Sequence, residues 1–306
     1  MEYVTGIHKY EGVCRSAVTL GKFDGLHKGH QKLIQKVCAY AQKEGLKSIV
    51  FAFDMSPFYQ NQTGLRKGLV TNEERRSLLE GKVDCLLECP FTKEISGMDA
   101  EEFIETVLVK KLHAGYIAVG TDFRFGYQKK GDFHMLKAYA EIYGYEVEVV
   151  EKERAYDRAI SSTFIKEELA KGDMELVRNL LGYPYAVRGT VVHGRQLGRT
   201  LGIPTMNIYP AKEKLLPPNG VYASRTAIGE KLYEGITNIG IKPTVDETSE
   251  LLLETYLFEY EGDMYGKEIK VELYDFERPE QRFGSIEELK DRMEQDIETV
   301  KQYFKG

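Results

Sequence analysis

Gly21-Lys22-Phe23-Asp24-Gly25-Leu26-His27-Lys28-Gly29-His30 is the stretch that decides how the first half of this chain folds. Before it, Ala17-Val18-Thr19-Leu20 reads as a short buried strand. After it, His30 to Lys43 carries Leu33, Ile34, Val37 and Ala41 on one helical face. A strand that turns through glycines directly into a helix is the opening unit of an α/β sheet. The alternation continues along the chain. Ser48–Phe53, Val83–Leu87, Tyr116–Val119 and Glu146–Val150 read as strands, and Ala100–Leu112 and His134–Ile142 as helices. The expected fold is a parallel sheet covered on both faces, with its ligand at the carboxyl ends of the strands.

The turn itself suits a nucleotide. Gly25 and Gly29 let the backbone come close to phosphates. A helix N-terminus offers unpaired N–H groups and partial positive charge. His27 and His30 can donate to phosphate oxygens as charge develops during transfer.

Near residue 183 the pattern changes. One helix is expected from about Phe164 to Leu181, ended by Gly182 and Pro184. Beyond it lie short alternating strands: Tyr185–Val192, Gly220–Ala227, Leu251–Tyr260 and Glu268–Phe276. Pro217-Pro218-Asn219-Gly220 and Glu261-Gly262-Asp263 supply turns. This reads as a small closed β-barrel. A final helix follows a capping-box pattern, Ser285-Ile286-Glu287-Glu288, and its Leu289, Met293, Val300 and Phe304 form a stripe for the barrel. The expected domains are 1–183 and 184–306.

Composition narrows the class. The chain has 306 residues, 42% hydrophobic and 29% charged, which excludes disorder for most of its length. Net charge is −6, with −1 before residue 184 and −5 after it, the wrong sign for a general nucleic-acid binder. No apolar run is long enough to span a membrane, and Met1-Glu2-Tyr3-Val4-Thr5 does not open a signal peptide, so the expectation is a cytoplasmic protein. Four cysteines are too few for a disulfide scaffold; Cys85 and Cys89, among apolar neighbours, read as free thiols in a buried strand.

The stretch Gly-x-Phe-Asp-Gly-x-His-x-Gly-His-Gln (21–31) resembles the flavin adenylyltransferase half of the bacterial bifunctional riboflavin kinase/FAD synthetases. The resemblance implies a Rossmann-like nucleotidyltransferase domain. It implies ATP contacts at Gly21, Phe23, Asp24, Gly25, His27, Gly29 and His30, with the two histidines catalytic. Gly120-Thr121-Asp122-Phe123-Arg124-Phe125-Gly126, followed by Gly131-Asp132, resembles the family's flavin-nucleotide loop and assigns Asp122, Phe123 and Phe125 to it. Ser161-Ser162-Thr163-Phe164-Ile165-Lys166 resembles an element whose hydroxyls and cation hold ATP phosphates, which implicates Ser161, Ser162, Thr163 and Lys166. A helix N-cap at Ser162 or Thr163 is the plainer reading of the same residues.

The second half resembles the family's riboflavin kinase barrel. Its marks are His193-Gly194-Arg195, then Gly202-Ile203-Pro204-Thr205-Met206-Asn207, Glu254-Thr255-Tyr256-Leu257 and Arg278-Pro279-Glu280. By that resemblance Glu254 is the general base for the riboflavin 5′-hydroxyl, and Gly194, Arg195, Thr205, Asn207 and Arg278 bind the kinase substrates. Thr205 and Asn207, two neutral oxygens, suit Mg²⁺ already carried by ATP phosphates. No P-loop sequence is present.

The whole implies a small-molecule enzyme that uses ATP, riboflavin, FMN and Mg²⁺ and makes FAD, without a nucleic-acid or membrane partner. Two departures stand out. Asp54-Met55-Ser56-Pro57 lacks the His of the family's Pro-His-Pro, and Lys166 replaces an Arg. They keep open a kinase whose adenylyltransferase half is impaired. A flavin-sensing RNA-binding regulator is the alternative from another class.

Overall fold

The structure is a computed structural model that describes residues 1–55, 67–194, 198, 201–243 and 249–306. Ser56 and Arg195 therefore lie outside the described residues. Contacts group the chain into two compact units, Met1–Ser162 and Thr163–Gly306. The sequence boundary at 183 marks where helices give way to strands. The compact division falls earlier, and in the second unit the helix Met174–Leu181 packs on barrel strands.

The first unit is built on six parallel strands: β1 (Glu2–Thr5), β2 (Ser16–Gly21), β3 (Lys47–Asp54), β4 (Cys85–Pro90), β5 (Ala114–Gly120) and β6 (Glu146–Val150). Their spatial order is β1-β4-β3-β2-β5-β6. The order reverses between β2 and β5, whose carboxyl ends carry Gly21 and Gly120. Both glycine-containing motifs of this half therefore leave adjacent strands at the one crevice where such sheets take ligands.

Alternation along the strands sorts the core into two layers. Ala17, Val50 and Ala118 face helix α1 (Lys28–Glu44) through Leu33, Ile34, Val37 and Ala41. Val18, Leu20, Phe51 and Ile117 face the opposite layer, with Phe103, Ile104, Val107 and Leu136. The expected helix 100–112 begins as a single α turn, Ala100–Glu102, and widens into a π-helix over Phe103–Lys111. The strand expected at Val83–Leu87 lies at Cys85–Pro90. Asp84 occupies the strand entry, its carboxylate accepting the Ser48 amide and hydroxyl and its carbonyl the Glu2 amide, so pairing starts one residue later. Burial pushes the Cys85 thiol up to about 12 and Cys89 to about 11, so both remain protonated, unreactive core residues.

In the second unit the single helix expected over 164–181 is two. They are Ser162–Lys171, whose first residue belongs to the first unit, and Met174–Leu181. Gly172 takes a left-handed φ of 81°, and the Asp173 carboxylate caps the Leu176 amide at 2.9 Å, which stops one helix and starts the next. The strands β7 (Tyr185–Val192), β8 (Met206–Ile208), β9 (Gly220–Ile228), β10 (Lys231–Pro243), β11 (Ser249–Leu257) and β12 (Glu268–Pro279) close a barrel in the order β7-β8-β11-β10-β9-β12. Tyr222, Ile239, Leu253, Val271 and Leu273 are fully buried. A ladder of hydroxyls, Ser224–Thr237–Thr255, accompanies them with bonds of 2.8 and 2.9 Å. The next residue along each strand points outward. There Val221, Ala223, Ile236 and Phe258 receive Ile297, Val300 and Phe304 of the terminal helix Ile286–Lys305. That helix starts as expected at Ser285, whose hydroxyl accepts the Glu288 amide at 3.1 Å.

Candidate active sites

The first site grows from the turn after β2. Phe23, Gly25 and Leu26 have φ of 48°, 86° and 38°, so the chain runs through left-handed backbone at three of four residues. For Phe23 and Leu26 this is strained, and burial of both side chains holds it. His27 then caps α1, its Nδ1 accepting the His30 amide at 3.4 Å. The two imidazoles stack with centroids 3.7 Å apart. A Cβ on residue 29 would sit 3.2 Å from the His27 ring, so Gly29 is what lets that ring lie flat across the helix start.

Burial lowers His27 to about 4 against the pull of the nearby Asp24 carboxylate. Burial, then the His27 ring and the Arg75 guanidinium, hold His30 well below the usual histidine range. Both rings are therefore neutral near pH 7. Because Nδ1 of His27 accepts, its proton sits on Nε2, a donor toward an incoming oxygen. His30 Nδ1 is buried without a hydrogen-bond partner among the described residues, a polar atom left for something else to satisfy.

Asp24 carries more than its motif suggested. Its Oδ1 accepts the amides of Leu69 and Val70 at 2.7 and 3.4 Å, and its carbonyl accepts the Ser162 hydroxyl at 2.7 Å. Ser162 is thus the first residue of its helix, tied to the turn, and not a residue capping from outside. Thr163 is exposed and Lys166 half-buried, both in the second unit.

After β5, Phe123 and Phe125 stack at 5.6 Å, and Phe125 packs on Phe103 at 5.6 Å. Phe53 and Phe91 adjoin this group. Sequence singled out only Phe123 and Phe125, because the other three rings come from β3, the residue after β4 and the π-helix. Asp122 is mostly exposed and paired with Lys152 at 2.6 Å.

In the barrel, the register builds the second site. Asn207 of β8 stands opposite Glu254 of β11, Glu254 opposite Asn238 of β10, Asn238 opposite Val221 of β9, and Val221 opposite Arg278 of β12. Directly opposed residues share a face, so five strands place these side chains in one row around the barrel. Beside the row is a cavity of about 280 Å³. Val221, Ile236, Tyr256, Leu289, Met293 and Ile297 give it apolar walls, while Thr205, Asn238, Glu254 and Arg278 supply polar groups. This is the composition of a site for a largely apolar ligand held by a few polar contacts.

Asn207 is 3% exposed and its Oδ1 has no hydrogen-bond partner among the described residues. A Cβ at position 194 would lie 2.5 Å from Asn207 Nδ2, so Gly194 passes against that side chain. Among the described residues no group of three His, Cys, Asp or Glu could hold a metal by itself. A buried amide oxygen awaiting a partner, with Thr205 two residues away, fits a Mg²⁺ that arrives with ATP phosphates. Arg278 lines the cavity, but its charge is committed. Nε and Nη2 grip the Asp296 carboxylate at 2.6 to 3.0 Å, and Nη1 donates to the Pro279 carbonyl. Asp296, a buried acid on the apolar stripe of the terminal helix, was missed by the sequence reading. Its spacing beside Met293, Ile297 and Val300 was the signal that it needed a partner.

The comparisons with known proteins agree with this division. A family model described as FAD synthetase matches residues 11–164, and one described as riboflavin kinase matches residues 181–304. A curated bifunctional riboflavin kinase/FMN adenylyltransferase from Buchnera aphidicola is 38% identical over 311 residues, covering 99% of this chain and 98% of that protein. The chain belongs to the bifunctional riboflavin kinase/FMN adenylyltransferase family. The family's Escherichia coli member is 36% identical over 309 residues, covering 99% of this chain and 98% of that one. A crystal structure from Streptococcus pneumoniae, described as a macrolide-efflux protein, shares the fold with a TM-score of 0.88 at 30% identity, covering 98% of this chain and 99% of that one. In this family member no described helix is long and apolar enough to cross a membrane.

Proposed function

We propose that the chain phosphorylates riboflavin to FMN and then adenylylates FMN to FAD, consuming one ATP in each step. The observation that carries this reading is the presence, in one chain, of both family patterns, each with its polar groups gathered beside a crevice or cavity.

For the first reaction, the apolar cavity would take the flavin ring and bring the 5′-hydroxyl to Glu254. The Glu254 carboxylate accepts the hydroxyl proton as the oxygen attacks the γ-phosphorus of ATP, and ADP leaves. Thr205 and Asn207 would hold Mg²⁺, which when bound offsets phosphate charge. Gly194 keeps Asn207 in place. Arg278, neutralised by Asp296, shapes the cavity wall.

For the second reaction, an FMN phosphate oxygen attacks the α-phosphorus of a second ATP and pyrophosphate leaves. That nucleophile is already anionic, so no base is needed. His27 and His30 act as neutral N–H donors to the phosphate oxygens, with the α1 N-terminus behind them. Gly21, Phe23, Gly25 and Gly29 shape the turn; Ser161 and Ser162 complete the ATP contacts within this unit. Phe123 offers the flavin a stacking surface, with Phe125 buried behind it and Asp122 at its edge.

Single substitutions separate the two halves. Glu254→Gln abolishes FMN formation and spares FAD formation from supplied FMN, whereas His30→Ala does the reverse. Loss of both activities in either variant contradicts the two-site reading.

A further inference from the structure

We propose that Asp24 is a positioning residue of the adenylyltransferase site, the peg that holds the turn before α1 in its left-handed shape. The proposal rests on the reading of that turn as an ATP site.

Two strained residues, Phe23 and Leu26, flank Asp24 and Gly25. Strain of this kind persists only where the surroundings over-determine the backbone. Burial of the Phe23 and Leu26 side chains fixes the turn on its sheet side. Asp24 fixes it on the other side through three hydrogen bonds to two separate segments: Leu69 and Val70 on its carboxylate, Ser162 on its carbonyl.

The anchors are themselves rigid. Leu69 is fully buried, and the helix Asn72–Leu79 that follows opens with a complete Thr71/Glu74 capping box. Its Arg75 forms a buried ion pair with Glu88 of β4, and Glu88 in turn accepts the Tyr3 hydroxyl of β1. Asp24 thus couples the turn to the far half of the sheet. Three residues later the same turn places His27, and then His30, at the helix start. Gly68 belongs to the arrangement as well. A Cβ there would come within 3.3 Å of Asp24 Oδ1 and 3.0 Å of the Val70 carbonyl, so any side chain at this position crowds the carboxylate.

Both amides bond the same carboxylate oxygen, Oδ1. An amide oxygen can do part of the same work, and a methyl group cannot. Misplacing reacting groups by about 1 Å costs on the order of 10²-fold in rate. The test measures FAD formation at saturating FMN, ATP and Mg²⁺, with riboflavin phosphorylation by the same preparation as the control for the barrel and circular dichroism against urea as the control for the fold of the first unit.

Asp24→Ala is expected to lower the rate of FAD formation about 100-fold with little change in riboflavin phosphorylation. Asp24→Asn is expected to recover about tenfold of that loss. Gly68→Ala, outside the nucleotide contacts, is expected to lower the rate in the same direction by crowding the carboxylate. An Asp24→Ala enzyme within threefold of wild type, an Asn variant no better than Ala, or equal loss of both activities would overturn the proposal. A wild-type chain that makes no FAD from FMN would overturn the reading beneath it.

Discussion

Removing the Asp296 carboxylate gives the clearest energetic test of how the barrel holds its terminal helix. Asp296 is 2% exposed and Arg278 9% exposed. Three contacts of 2.6, 2.9 and 3.0 Å join the carboxylate to Nη2 and Nε of the guanidinium. Among the described residues, Asp296→Ala leaves that buried cation the Pro279 carbonyl and the face of the Phe283 ring. Breaking a buried pair from one side costs about 3–5 kcal/mol. Arg292 also lies 2.9 Å from Asp296 through a buried Nε, so the loss of the carboxylate falls on that side chain as well. With a urea m-value of about 2 kcal/mol/M, the midpoint of barrel unfolding should fall by roughly 2 M. Circular dichroism against urea, with riboflavin phosphorylation assayed in the same samples, reads the shift. The paired change Asp296→Leu with Arg278→Met removes both charges and should restore most of the stability. A single-variant midpoint within about 0.3 M of wild type, against the roughly 2 M expected, would refute the assignment of this pair as a buried clamp.

Other outcomes follow from the two sites. His27 sits at about 4 in the folded unit and near 6.5 in the unfolded chain, so the unfolded chain binds more protons between those values. Stability of the first unit should therefore rise with pH from about 4 to 6.5 and level off above, with up to about 3 kcal/mol from this one group; a His27→Asn variant that keeps the full slope in urea titrations would contradict this. Gly194→Ala drives a methyl group into Asn207 and should cut riboflavin phosphorylation at least tenfold, with FAD formation from FMN unaffected; unchanged kinase turnover would remove Asn207 from the site.

Most of the architecture was legible because it rests on local periodicity. Strand–turn–helix at 17–43 and the capping pattern at 285–288 each declare themselves within a dozen residues. The break at Gly172-Asp173 was hidden because a capping Asp beside Gly reads as an ordinary solvent-facing pair inside an otherwise continuous apolar stripe. β1 was hidden by its four-residue length, and the π-helix by the fact that its side chains keep a helical spacing. The same divide applies to the sites. Histidines of one turn, and Thr205 with Asn207, are neighbours in sequence. Asn238, Asp296 and the cavity walls meet Glu254 only through barrel register, which no local pattern encodes. The role of Asp24 as an acceptor for Leu69 and Val70 is likewise a contact across 45 residues.

The most direct test of the account is to incubate the pure chain with riboflavin, ATP and Mg²⁺ and separate the flavins by chromatography over time. FMN should appear first and then give way to FAD, with one ADP and one pyrophosphate released per FAD. FMN that accumulates without any FAD, or riboflavin that stays unchanged, would contradict it.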